Sequence, residues 1–457
     1  MTAPCGSGAP GVEPVAGQGG RVCYLSACCG WPVRKMRAVP LACWRQNSTW
    51  KSRLYGYAVA SAAIGRTQRV MGLGWRTPLC GESHNEWYRS ILGCRSEDVC
   101  EGAIMIEREA ASLRELMIIR DQNRDRIEAV NQNLGSALGW KHTNGVRTNH
   151  PAVIVFVPDK LHEALVPRHQ QVPARLKATF PAGGTIFCET DVVRGGKNRT
   201  EQGPFLLSME NQAVVDELCR GRIGLVGGVQ LGGFHPILGP YVGTAGCAVR
   251  DRQGRVGLLT SQHVAGSPGR LIYHPRPGQH SIGFCDRAFE HLFDHAHFGG
   301  IVDETNCFVR LNCAAVRLNA SAAELARPGL HDLGELGEVL PIDIDSMDII
   351  GTEVTSIGRT RGIQKGEIVA YAYDFIDDEG LSICTDLLII GCGSGVEFSN
   401  VGDCGKLIVA QKGARPVGLS WGGWRARLRE GYEQENWAYA TDLAKVLRYL
   451  DIEILRD

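Results

Sequence analysis

Three short runs of the 457-residue chain carry residue types whose chemistry fits together: LLTSQHV with His263, GDCGKLIV with Cys404, and GLSWGG with Ser420, Trp421 and Gly422. A histidine that takes a proton and a thiol that gives one up are the two halves of an activated nucleophile. The base comes first along the chain and the nucleophile second. A Gly-Asp-X-Gly turn just before a strand exposes the residue at X on a tight loop. The backbone N–H groups of Gly402 and Cys404 would then point toward one spot and form an oxyanion hole. Glycine on both sides of the turn supplies conformations that a Cβ would obstruct. Each residue also has a plainer reading: Cys404 as an inert buried thiol, His263 as a core histidine, Trp421 as core packing. The place of Cys404 inside the Gly-Asp-X-Gly turn favours the chemical reading.

The elements that must position these groups fall into three stretches. Apolar residues Leu113, Leu116, Met117, Ile127, Val130 and Leu134 recur at helical steps between Ile106 and Leu138, which predicts an amphipathic helix. AVIVFV (152–157) and GTIFCETDVV (184–193) read as strands of a small α/β unit. After about residue 231 the pattern becomes short strands separated by Gly, Asp and Pro turns, as in an all-β barrel or sandwich. TAGCAVRD, the turn Arg252-Gln253-Gly254 and VGLLTSQHV predict a hairpin, and TEVTSIGR, GEIVAYAY, LSICTDLLII, GKLIVA and PVGLSW predict a second run of strands. ATDLAKVLRYL predicts a closing helix capped by Thr441 or Asp442, with Leu443, Val446, Leu447 and Leu450 on one face. The glycine-rich runs 224–233 and 391–395 lack the lysine of a phosphate loop and read as turns and bulges.

Composition separates the first 100 residues from the rest. They hold 12 Lys and Arg against 5 Asp and Glu, with eight of the 17 cysteines and no sustained period. A poorly ordered basic segment, 1–104, is expected there, and the missing periodicity suggests translation beginning at Met105 or Met117. Its scattered arginines lack interleaved aromatic platforms, so nucleic acid is not the expected partner. The other nine cysteines sit mostly in apolar runs and read as reduced core thiols, which fits a cytoplasmic protein. The sequence shows no secretory leader and no apolar stretch of about 20 residues, so no membrane association is expected.

The motif order resembles that of chymotrypsin-like peptidases, whose serine form of the turn is Gly-Asp-Ser-Gly and whose Ser-Trp-Gly segment pairs with the substrate backbone. It is more similar still to the plant Narrow Leaf protein family, over about residues 105–455. The supporting runs are HPAVIVFVPDKL, TDVVRGG, GTAGCAVRDRQGRVGLLTSQHV, FVRLNCAAV, GDCGKLIV, RPVGLSWGG and ENWAYATDL. The resemblance implies a mainly β, two-barrel chymotrypsin-like fold with an N-terminal α/β segment and a C-terminal helix. Its expected units are 105–230 for the helix and α/β segment, 231–333 for the first barrel and 334–457 for the second barrel with the helix.

In that family an aspartate follows the Phe-Val-Arg element, and the matching position here is Asn312, 49 residues after His263 and 92 before Cys404. Two of three expected residue types have therefore changed together. A thiol is acidic enough to form a thiolate–imidazolium pair, so it depends less on a carboxylate behind the histidine, and an asparagine still holds the ring in one tautomer. The implied activity is a cysteine endopeptidase working through a thioester, on a protein or peptide substrate and without a cofactor. Cys404, His263 and Asn312 would be catalytic, Gly402 and Cys404 would bind the oxyanion, and Ser420, Trp421 and Gly422 would bind substrate. Asp303 and Asp294 are alternative third members, Asn312 then being a strand-end turn residue, and Phe398 and Ser399 are candidates for the specificity pocket. The main rival is a pseudopeptidase kept as a peptide-binding or homo-oligomeric scaffold. The cluster Cys285, His291, Asp294, His295 and His297 offers metal-ligand types, against which stands a polar surface loop.

Overall fold

The computed structural model describes residues 107–130, 133–180, 184–194, 207–221, 224–234, 239–302, 307–376, 380–392, 397–423 and 437–456, with the backbone alone at 196–197, 235, 424 and 426–427. The expected segment 1–104, Met105 and Asp303 lie outside these residues. The chain is mainly β.

The N-terminal unit runs β1 (Glu107–Glu109), α1 (Leu113–Gln122), α2 (Arg124–Glu128), β2 (Gly135–Thr143), β3 (Val146–Val157), β4 (Arg175–Thr179), β5 (Thr185–Arg194) and α3 (Met209–Arg220). Strands β1 and β3 pair parallel with β5, and β4 pairs antiparallel with it. Helix α1 buries Leu113, Leu116, Met117 and Ile119 against this sheet. The long helix expected to Leu138 is instead broken. The Asn123 side-chain amide donates to the Ile119 and Lys177 carbonyls at 2.8 and 2.9 Å, and from Gly135 the chain is strand, paired antiparallel with β3.

The next elements are β6 (Leu225–Gly227), β7 (Gln230–His235), β8 (Gly239–Thr244), β9 (Cys247–Asp251), β10 (Val256–Thr260), α4 (Gln262–Ala265), β11 (Leu271–Tyr273), β12 (Ser281–Phe293), α5 (Asp294–His297), β13 (Phe308–Leu318) and β14 (Ala326–Leu330). Residues 224–233, expected as turns, thus carry two strands, and β6 pairs parallel with β14. Antiparallel pairing runs β8, β7, β11, β12, β13, β10, β9 in spatial order. The expected hairpin is β9 with β10. Its turn is held by Asp251 Oδ1, which accepts the Gln253 and Arg255 amides at 2.9 Å each.

The last elements are β15 (Glu353–Gly358), β16 (Gly362–Ile376), β17 (Ser382–Gly391), β18 (Leu407–Ala410), β19 (Arg415–Trp424), β20 (Trp437–Asp442), α6 (Leu443–Leu450) and β21 (Ile452–Ile454). Antiparallel pairing passes from β15 through β16, β17, β20, β19 and β18 and returns to β15, so these six strands close on themselves. Closure leaves this sheet without a free edge along the paired residues.

Pairing also crosses the unit boundaries read from sequence. Strand β2 pairs with β16, β13 pairs parallel with β17, and β21 returns to pair with β9 of the first ladder. Helix α6 is capped by Asp442, whose Oδ1 accepts the Ala444 amide at 2.9 Å. It buries Leu443, Val446 and Leu450, each worth about 1.5–3 kcal/mol of removed apolar surface. Among the described residues no helix is long and apolar enough to cross a membrane.

Candidate active site

His263 lies in the single turn of α4 that follows β10, and Asn312 lies inside β13, the strand paired with β10. Asn312 has a φ of 41°, in the left-handed region that asparagine tolerates better than most residues. Its Oδ1 accepts two hydrogen bonds from one residue, the His263 backbone N–H at 3.1 Å and the ring Nδ1–H at 3.0 Å. The geometry fixes the tautomer. A backbone N–H only donates, so the amide atom facing it is the oxygen, and an oxygen there requires the proton on Nδ1. The Nε2 lone pair is then the basic one.

The segment bearing Asn312 is anchored from the closed ring. Thr441, fully buried at the end of β20, donates its hydroxyl toward the Arg310 and Leu311 carbonyls at 3.2 and 2.9 Å. Thr441 was one of two residues expected to cap α6. Asp442 takes that place and leaves the threonine to hold β13.

The turn Gly402–Gly405 approaches the junction of β10 and α4 from the ring. Gly402 and Gly405 have φ of 95° and 94°. A Cβ on Gly405 would lie 2.2 Å from Thr260 Oγ1, 2.3 Å from the Thr244 carbonyl and 3.1 Å from the Ser261 amide. The residue after Cys404 is thus packed against the residues that lead into His263, which no substituent larger than hydrogen would permit. Thr244 binds the two sides together: its amide donates to the Cys404 carbonyl at 2.9 Å, its hydroxyl donates to the Gly402 carbonyl at 2.8 Å, and its own carbonyl accepts the Thr260 hydroxyl at 2.8 Å. Nothing in the run GTAG marks this role in the sequence, because it depends on partners 16 and 158 residues away.

Inside the turn, the Val401 carbonyl accepts the Thr360 hydroxyl at 2.8 Å and the Asp403 carbonyl accepts the Lys406 amide at 3.1 Å. Each peptide N–H lies opposite the preceding carbonyl, so the Gly402 N–H points away from Thr360 and the Cys404 N–H away from the Lys406 amide. The Asp403 carboxylate is fully buried and accepts the Thr360, Arg361 and Asn400 amides at 2.8, 3.3 and 3.1 Å. Lys406 is fully buried too, with Nζ donating to the Phe398 carbonyl and lying 4.4 Å from the Phe398 ring. Burial pushes its ammonium down to about 8 against the attraction of Asp403.

Ser420 is fully buried in β19, its amide donating to the Lys406 carbonyl at 3.0 Å and its carbonyl accepting the Gly405 amide at 2.7 Å. The register of β19 against β20 shifts between Ser420 and Gly422, at Trp421. The Trp421 ring lies 5.1 Å from Tyr439 and carries the Arg310 guanidinium 5.2 Å from its centre. Sequence reasoning passed over Arg310 because one arginine on a strand carries no signal by itself.

Burial is the strongest influence on His263 and lowers its pKa below the ordinary imidazole value; the Asn312 hydrogen bond opposes it, and the Arg310 charge lowers it further. Burial also pushes Cys188, Cys247, Cys285, Cys307 and Cys313 up to about 12. All nine cysteines of the described residues are free thiols. Cys404 is 8% exposed, more than the other six buried ones, which reach at most 2%.

The chain matches the NARROW LEAF 1 N-terminal domain over residues 108–193 and the Nal1 C-terminal domain over residues 212–457. It is 30% identical over 375 residues to Protein NARROW LEAF 1 of Oryza sativa subsp. japonica, covering 76% of this chain and 61% of that protein. The chain belongs to the Narrow Leaf 1 family. It spans about three fifths of the length of that curated relative, 61%. Solved structures similar to part of this Narrow Leaf 1 family member include Thermobifida fusca Protease A, with a TM-score of 0.34, 16% identity, and coverage of 51% of this chain and 99% of that one. Nocardiopsis protease has a TM-score of 0.33, 16% identity, and coverage of 50% and 98%.

Within this member of the Narrow Leaf 1 family several sequence expectations are redirected. Asp294 accepts the His295 amide at 2.7 Å in its own turn, and the partner of His263 Nδ1 is Asn312. Phe398 is fully buried against Lys406 and Gly366, so its ring cannot line a pocket open to substrate. The candidate metal cluster is dispersed: His297 Nε2 lies 2.7 Å from Asp386 Oδ1 in the core, His295 stacks on Phe293, and Cys285 is buried. Among the described residues no group of three or more His, Cys, Asp or Glu is gathered to hold a metal.

The His263 environment makes a direct prediction for the ring itself. In Cys404→Ala, which removes the thiol, the His263 NMR titration is expected below the ordinary value of about 6.5. Asn312→Asp in that background puts a carboxylate against Nδ1, favours the imidazolium, and is expected to raise the midpoint by about one unit or more. An unchanged midpoint would mean that residue 312 does not govern the ring's charge.

Proposed function

We propose that the chain is a cysteine peptidase of two-barrel trypsin-like type, with Cys404 as nucleophile, His263 as general base and acid, and Asn312 as the group that orients the ring. The observation that supports this reading is the double hydrogen bond from His263 to Asn312 Oδ1, at 3.1 and 3.0 Å, which leaves Nε2 basic on a helical turn whose preceding residues pack against Gly405.

In the proposed reaction Nε2 takes the thiol proton as Sγ attacks the peptide carbonyl carbon. The negative charge gathers on the carbonyl oxygen, opposite the N–H groups of Gly402 and Cys404. Collapse breaks the C–N bond, His263 returns the proton to the leaving amine, and a thioester remains on Cys404. Water, deprotonated by His263, then attacks the thioester and releases the acid. Burial and Arg310 both disfavour a charged His263, and the Asn312 hydrogen bond and the Glu290 charge favour it. Charge separation accompanies the attack of Sγ on the bound peptide.

Iodoacetamide labelling followed by peptide mapping tests the reading. Cys404 is expected to react faster than the eight other cysteines of the described residues, including the exposed Cys392, and its rate is expected to fall about tenfold or more in His263→Ala. Equal labelling of Cys404 and Cys392, unaffected by His263→Ala, would overturn the proposed nucleophile and favour a peptide-binding scaffold that has kept the fold.

A further inference from the structure

Near the candidate site lies a cation whose charge is incompletely answered among the described residues. Arg310 sits on β13 two residues before Asn312, and its guanidinium lies 5.2 Å from the centre of the Trp421 ring. It influences His263 electrostatically. The acidic group beside it is Glu290, 3.8 Å from Nη2 and itself half exposed, so that ion pair is weak. Arg310 Nε is buried and has no hydrogen-bond partner among the described residues. The Trp421 Nε1 beneath it is in the same condition. A buried donor left unsatisfied costs stability, and a planar guanidinium fixed against an aromatic face is preorganised to meet a carboxylate.

We propose that Arg310 determines the specificity of the proposed active site, selecting peptides with an aspartate or glutamate side chain within about three residues of the bond that is cut. The inference rests on the peptidase reading and on Ser420–Gly422 as the strand that receives the peptide. An extended peptide rises about 3.3 Å per residue, so a group that touches both the Trp421 ring and the surroundings of His263 can reach only side chains close to the reacting bond. An acidic side chain would supply the acceptor that Glu290 supplies only in part, and it would offset the positive charge acting on His263.

The test uses peptides acetylated and amidated at their ends, so that the carboxylate is a side chain's alone, with Glu or Gln placed in turn at three positions on either side of the scissile bond. For at least one position kcat/KM is expected to favour Glu over Gln by about tenfold. The ratio should fall to within about twofold in Arg310→Gln, survive in part in Arg310→Lys, and reverse toward Lys peptides in Arg310→Glu. Because each ratio is taken within one variant, partial loss of folded enzyme cancels. A Glu-to-Gln ratio near one at every position, or one unchanged by Arg310→Gln, overturns the proposal. If no peptide is cleaved, equilibrium binding of the same peptides to Cys404→Ala separates the two ideas. A Glu preference that Arg310→Gln removes would uphold acid recognition while the peptidase reading fails, and absence of preference would overturn the inference itself.

Discussion

Cys404→Ala and His263→Ala are each expected to lower peptide hydrolysis by about ten-thousandfold or more, because members of a nucleophile–base pair act as a unit and the loss of either removes most of what both supply. Combining the two should cost little beyond either alone. The fold should persist in both: Cys404 loses one sulfur atom at a site that is already 8% exposed, and the contacts of the turn are made by Thr244, Asp403 and Gly405. Near-ultraviolet circular dichroism and thermal melting check the fold while a fluorogenic peptide reports the rate. Full activity in either variant would eliminate the mechanism. Strictly additive losses would mean that the two residues act in separate steps.

The second large effect concerns the pairing of nucleophile with third residue. If the proposed mechanism holds, Asn312→Asp in the otherwise native chain is expected to change kcat by less than about tenfold, because the ring keeps its tether and a thiol needs little help from a carboxylate. Asn312→Ala should cost more, since both donors of His263 would lose their acceptor at once. In Cys404→Ser the demand is different. A hydroxyl gives up its proton only to a base whose charged form is stabilised, and here burial and Arg310 oppose that charge. The serine variant with Asn312 should be nearly inactive, and adding Asn312→Asp should restore part of the rate. The scale is set by serine triads in which aspartate becomes asparagine, where turnover falls about ten-thousandfold. A double variant no faster than Cys404→Ser would show that residue 312 is not the electrostatic partner of the base.

Local patterns were legible where the partners are close in sequence. The β9–β10 hairpin, its Asp251–Gly254 turn and the apolar face of α6 follow from residues within a few positions of one another. Helical spacing misled between Ile106 and Leu138, because Leu138 belongs to a strand whose partners are Val153 and Tyr371, and such distant pairing overrides a local period. The candidate residues His263 and Asn312 were legible by type and order, and their contact is a fact of the β10–β13 pairing. Thr244 and Arg310 were not. Their importance lies in what they touch, and nothing about a threonine between glycine and alanine, or an arginine on a strand, names a partner far away. Phe398 failed in the opposite way: it was a candidate for the specificity pocket, whereas its ring lies buried against Lys406.

Strand β21 lies on β9, with Val249 opposite Ile454, and the Leu455 amide donates to the Ala248 carbonyl at 2.9 Å. During synthesis the edge formed by β9 is therefore made about 200 residues before the strand that covers it, and the closed ring that β21 follows must be translated in between. At ordinary elongation rates of 5–20 residues per second that interval lasts about 10–40 s. Until β21 is made, β9 carries an uncovered edge while the chain is still on the ribosome, the exposure that makes unpaired strands prone to association. Nascent chains stopped shortly before Ile452 should be held by chaperones, and release should coincide with emergence of β21.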